Sequence, residues 1–116
     1  MAKRKIEAAK ETAITRGTGN VFADLGYADA EERQTKLRLA YAINGIIERR
    51  RMTQAAAADK LGINQPKVSA LANYKLDGFS VERLMTFLTS LDQDVEIVIK
   101  RKPKSRSVAR ISVIAA

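Results

Sequence analysis

At 116 residues and a formal net charge of +8, the chain has room for one domain plus extensions, and a helical core of about 70 residues folds alone or as a dimer with little stability to spare. It contains no Cys and no His, which removes disulfides, thiolate nucleophiles, the commonest zinc ligands and the side chain that most often moves protons near neutral pH. No run approaches the roughly 18 apolar residues of a membrane span, and Lys3, Arg4 and Lys5 do not lead into a signal-peptide stretch, so a cytoplasmic protein with no membrane partner is expected.

Charge is unevenly placed. Residues 1–19 carry five Lys/Arg against two Glu, 20–99 carry ten against eleven acidic residues, and 100–116 carry six against none. The excess therefore lies in the two ends. Residues 1–28 read as an arm: a weakly helical KRKIEAAKETA, a break at Gly17, Thr18 and Gly19, then a small apolar cluster at Val21, Phe22, Leu25 and Tyr27. That cluster cannot make a core alone; it either docks into a groove on a partner or packs on the first long helix. Asp29, with Glu32 three residues on, predicts the N-cap and capping box of that helix, and Leu39, Ala40, Ile43, Ile46 and Ile47 follow at helical spacing up to Arg51.

Residues 54–73, QAAAADKLGINQPKVSALAN, have the spacing of two short helices crossing steeply at a tight turn. Such a pair needs a small residue at the closest approach (Ala58), a glycine in the turn (Gly62), and apolar side chains facing the core (Leu61, Ile63, Val68 and Leu71). Thr53 caps the first helix and Asn64 the second, with Ile63 and Val68 forming a hydrophobic staple across the second cap. Pro66 suits a first helical turn, where its missing N–H has no intrahelical partner to lose. Around the pair lie Arg49, Arg50, Arg51, Lys60, Lys67 and Lys75 against Asp59, with Asp77 just beyond. Any single lysine is more often a solvated helix face, but six around one motif make a local basic patch of the kind that meets phosphates.

After a loop, Ser80 caps a further helix whose Val81, Leu84, Met85, Leu88 and Leu91 form one apolar stripe. The period then changes. Val95, Ile97 and Ile99 alternate with Glu96, Val98 and Lys100, and beyond the basic KRKPKSRS a second strand-like run covers 108–114. A lone hairpin is not stable in water, so this segment either packs on the helices or pairs with a second subunit; the exposed edge favours the subunit. The expected fold is mainly α: a helix-turn-helix bundle over 29–93, with a C-terminal β-strand or hairpin and basic tail over 94–116.

Residues 54–73 resemble the helix-turn-helix of phage λ repressor and the Xre-type regulators. The longer stretch through GFSVERLMTFLTSLDQDVEIVI is similar to Xre-type antitoxins of the HigA kind, so that the resemblance covers roughly residues 20–100. It implies a homodimer that binds its own double-stranded DNA operator and neutralises an RNA-cleaving toxin of the RelE-like type. It also places Gln54 at the opening of the first motif helix and Gln65 at the start of the recognition helix. A glutamine amide matches adenine N6 and N7 in the major groove, which makes Gln65 the expected base reader and Gln54 its brace and phosphate contact. Lys67 reaches a guanine edge or a phosphate, and Ser69 and Ala70 are small enough to face a base or a thymine methyl. Asn73 and Lys75 suit the backbone, and Asn64 belongs to the same surface although capping is its main role. Pro66 stands where such regulators often place a hydroxyl or amide, which removes one base contact.

Other chemistry is thin. Glu31 with Glu32, and Asp92 with Asp94, lack the surrounding ligands of a metal site, and GTG at residues 17–19 lacks the rest of a phosphate loop. No catalytic, metal or cofactor residue is expected, and the chain reads as a non-enzyme. Two functions follow: a sequence-specific DNA-binding transcriptional regulator, specifically an antitoxin that represses its own operon, or a protein-interaction module whose helix-turn-helix no longer binds DNA. Retention of Gln54, Gln65 and Lys67 favours the first.

Overall fold

The computed structural model describes residues 21–115, with side chains from residue 29 onward. The basic start and glycine break of the arm lie outside the described residues, as do the side chains of Val21, Phe22, Leu25 and Tyr27. Four helices occur among the described residues: α1 (Val21–Arg49), α2 (Gln54–Leu61), α3 (Gln65–Ala72) and α4 (Val81–Ser90). The chain divides into two compact units, Met1–Gln34 and Thr35–Ala116.

In the first unit the helix begins earlier than the sequence suggests. Asp29 is not an N-cap: α1 starts at Val21 and already contains it. Its carboxylate is paired along the helix with the Arg33 guanidinium, one turn on, so a side chain suited to capping serves instead as half of an i,i+4 ion pair.

The second unit holds the core. Leu39, Ala40, Ile43 and Ile46 of α1 meet Leu61 of α2, Leu71 of α3, Leu76 and Phe79 of the following loop, and Leu84, Phe87, Leu88 and Leu91 of α4. Ile43, Leu71, Leu84, Phe87 and Leu91 are the largest side chains wholly withdrawn from solvent. Phe79 and Phe87 meet edge to face, with ring centroids 5.8 Å apart, the arrangement their quadrupoles favour. Polar ties fix two helix ends. Asn44 Nδ2 donates to the Leu71 carbonyl at 3.0 Å, and the Arg50 guanidinium donates to the Leu91 carbonyl at 2.8 Å, which also accepts from Gln93 Nε2 at 3.1 Å, so both bonds tie α1 to carbonyls at helix C-termini.

Beyond α4 the expected C-terminal strand is absent: among the described residues no strand forms over 94–115. A strand is defined by its ladder, and a ladder needs a partner. The alternating apolar pattern is present, yet among the described residues no backbone hydrogen bond engages 94–101, while a turn bond runs from Arg106 N–H to the Pro103 carbonyl at 3.2 Å. Val95 and Val113 pack against the core cluster, while Ile97, Val98, Ile99, Val108, Ile111 and Ile114 stay exposed.

Candidate nucleic-acid interface

The α2–α3 pair is built by its caps. The Thr53 hydroxyl accepts from the Ala56 N–H at 3.1 Å, and Asn64 Oδ1 accepts from the Lys67 N–H at 2.9 Å, each filling an orphan donor of a first turn. Gly62 ends α2 with φ +71, a left-handed backbone that an L side chain adopts only at a cost of about 1–2 kcal/mol. Pro66 sits in the first turn of α3, where it removes no helical bond. A small second cluster forms the seam: Ala57, Ala58 and Val68 are buried, with Ile47, Met52 and Ile63 packed on them. The short methyl side chains of Ala57 and Ala58 let the two helices approach closely, and the Ile63–Val68 staple sets the angle at which the chain enters α3.

This seam decides which side of α3 faces outward. Val68 and Leu71 are buried, and at 3.6 residues per turn Pro66, Ser69 and Asn73 fall on the opposite side. Gln65 and Ala70 flank that outer stripe. Gln54 and Gln65 are both exposed and occupy the first position of α2 and α3 respectively. The brace expected between them is not formed: among the described residues no hydrogen bond joins the two amides, which leaves both free toward solvent.

The remaining predicted residues divide by geometry. Asn64 is exposed but its side-chain oxygen is committed to the cap. Ser69 is half-buried and Ala70 is half-buried against the core cluster. Asn73 Nδ2 donates to the Ser69 carbonyl at 2.9 Å, holding the amide against the end of its own helix. Lys75 is exposed. Lys67 is exposed too, with its ammonium 5.7 Å from the centroid of the Phe79 ring, a cation–π contact that orients the side chain along the flank of α3 rather than along the outer stripe.

The basic patch is smaller than its count in the sequence. Arg50 is turned to the C-terminal end of α4, where it holds the Leu91 carbonyl and lies 3.9 Å from the Asp92 carboxylate. Arg49, Arg51, Lys60, Lys67 and Lys75 remain exposed.

Tyr74, passed over in the sequence, stands between Asn73 and Lys75 with φ +58. Its N–H donates to the Leu71 carbonyl and that of Lys75 to the Ala70 carbonyl, a left-handed helix stop normally given to glycine. A tyrosine held there is backbone strain of about 1–3 kcal/mol at the end of the exposed helix. The signal available in the sequence was the absence of any Gly or Pro directly after ALAN.

Among the described residues no group of three or more acidic side chains is placed to hold a metal ion, and no helix is long and apolar enough to cross a membrane. A protein-family profile described as "Helix-turn-helix domain" matches residues 21–100. A solved structure named "Putative XRE Family Transcriptional Regulator" is similar at 77% sequence identity with a TM-score of 0.74; the match covers 76% of this chain and 99% of that one. No curated protein matches the chain.

Proposed function

The chain belongs to the helix-turn-helix domain family, and from that premise we propose that it is a DNA-binding transcriptional regulator of the XRE type that reads its operator with the outer stripe of α3. The observation that carries this reading is the orientation of α3. Its apolar side is consumed by the seam and core, so Gln65, Pro66 and Asn73 are exposed and Ser69 half-exposed on a helix fixed at both ends. Gln65 reads an adenine edge, while Gln54, Lys75 and the remaining exposed cations hold the phosphates.

The finer reading is a cytoplasmic homodimer on an inverted repeat, acting as an antitoxin that represses its own operon and neutralises a RelE-like toxin. It is supported by the resemblance of FSVERL and DVEIVI to HigA-type antitoxins. DNA binding is tested by selecting the preferred site from random duplexes and titrating salt: log affinity should fall linearly with log salt, with a slope of about −0.9 per phosphate contacted. Lys75→Ala should reduce that slope by about 1. Binding with no site preference at any salt would overturn the regulator reading. For the antitoxin, co-expression with a RelE-like ribonuclease should restore growth; a co-expressed toxin that remains lethal would overturn that part alone.

A further inference from the structure

We propose that residues 94–102 form an antiparallel two-stranded ribbon with the same residues of a second copy, related by a two-fold axis through Val98. This names the surface behind the dimer reading above and rests on it.

Among the described residues the segment forms neither helix nor turn and engages in no backbone hydrogen bond over 94–101, and its β-branched side chains are bare: Ile97 is 75%, Val98 73% and Ile99 93% exposed. An apolar extended stretch with unsatisfied N–H and C=O groups is a template for pairing with another chain. Among the described residues no ladder joins it to 108–114.

Charge identifies the partner and the register. The sequence DVEIVIKRK has acids at Asp94 and Glu96 and bases at Lys100 and Lys102, so its signs reverse about Val98. Antiparallel pairing centred there sets Asp94 opposite the partner's Lys102, Glu96 opposite the partner's Lys100, Ile97 opposite the partner's Ile99, and Val98 opposite the partner's Val98. Parallel in-register pairing would instead lay each charge against its own kind, which is destabilising. Within 94–102, moving the centre to Ile97 leaves Asp94 opposite the partner's Lys100 as the one kind of ion pair and sets Glu96 against the partner's Val98, while moving it to Ile99 leaves Glu96 opposite the partner's Lys102 and sets Ile97 against the partner's Arg101.

The two faces of the ribbon then separate by chemistry. Residues 94, 96, 98, 100 and 102 share one face, which carries all the ion pairs around the valine pair. Val95, Ile97 and Ile99 share the other with Arg101, which stands opposite the partner's Val95 at each end of the ribbon. Val95 already packs against the core cluster of its own domain, so the apolar face of the ribbon continues from that core, and pairing covers isoleucines that one chain leaves in water. A bare two-stranded ribbon is marginal in water; one whose apolar face is continuous with two helical cores is not bare.

The chain has no cysteine, so cross-linking of this chain tests the register against no background. Opposed residues stand about 4.5–5.5 Å apart at Cα, within disulfide reach, whereas residues four positions apart along the strands are separated by about 13 Å. Val98→Cys should therefore give a disulfide-linked dimer under mild oxidation. Glu96→Cys and Lys100→Cys should each stay unlinked alone and link when mixed. In sedimentation equilibrium, Lys100→Glu should raise the dimer dissociation constant about tenfold, because each cross-strand pair occurs twice, and adding Glu96→Lys to it should restore wild-type association. Failure of Val98→Cys to link, equal linking at all three positions, or no rescue by the double swap would overturn the proposal. These assays contain no DNA. A ribbon that forms in a protein without site preference would refute the operator reading alone, and site-specific binding by a protein that does not cross-link at Val98 would refute the ribbon alone.

Discussion

The helical domain over 35–91 and the segment over 92–115 are both rich in aliphatic residues, yet they behave oppositely in one chain. In the domain, apolar side chains recur at helical spacing, so each helix satisfies its own backbone and needs neighbours only for its stripe; those neighbours are present, and Leu39, Ile43, Leu71 and Leu84 vanish from the surface. In the C-terminal segment the spacing is that of a strand, whose backbone cannot be satisfied from within, and Ile97, Ile99 and Ile114 remain in solvent. The difference teaches that a helical pattern is a statement about one chain, whereas a strand pattern is half of a statement about two.

The largest effect should come from the core. Phe87→Ala removes a wholly buried ring together with its contact to Phe79, and should cost about 3–5 kcal/mol in urea unfolding. Ile99→Ala, of comparable hydrophobicity in the sequence, should change the unfolding free energy of the monomer by less than about 0.5 kcal/mol. Measured at a concentration where the protein is monomeric, similar losses for the two would erase the contrast between the regions.

Arg50 tests where the domain ends. Arg50→Ala should lower stability by about 1 kcal/mol, through loss of the bond that ties α1 to the Leu91 carbonyl, and should leave the salt dependence of DNA binding unchanged. A shallower salt slope would return Arg50 to the phosphate-contacting set.

Cap removal is of similar size but different in place. Asn64→Ala should cost about 1 kcal/mol by removing the side-chain acceptor of the Lys67 N–H and leaving it only the Asn64 carbonyl at 3.1 Å, and thermal unfolding would detect it. A neutral result would mean that Pro66 and the Ile63–Val68 staple hold the start of α3 unaided.

The smallest effect expected is a gain. Arg51 ends α1 at φ +54, and Arg51→Gly should raise stability by about 0.5–1 kcal/mol through relief of a left-handed side chain. Destabilisation would show that the arginine makes contacts worth more than its strain.

What could be read in the sequence follows the same division. Thr53, Asn64 and Ser80 cap as their spacing indicates, and Gly62 occupies the left-handed turn, because caps and tight turns depend on residues a few positions apart. Phe87 escaped because the stripe of α4 was drawn too narrow: the helix is buried over a wider arc than an edge helix, so the side chain three residues after Leu84 is buried too. Phe79 stands just before the Ser80 cap, where it can staple to Leu84 across it, a relation as readable as that of Ile63 and Val68. The commitment of Arg50 to Leu91, 41 residues away, had no local signal. For the candidate site, the positions of Gln54 and Gln65 were legible from helix starts, while the diversion of Lys67 to the Phe79 ring was not, since it depends on where the loop after α3 returns.

The central claim is that the outer stripe of α3 reads DNA sequence, and Gln65→Ala measures it most directly. Affinities of wild type and variant for the selected operator and for random duplex should be compared at one salt concentration. The account predicts a loss of about 1–3 kcal/mol on the operator, confined to one base-pair position in each half-site, with binding to random duplex nearly unchanged. If the variant keeps the wild-type ratio of operator to random affinity, Gln65 reads no base and the outer stripe of α3 is not the reading surface.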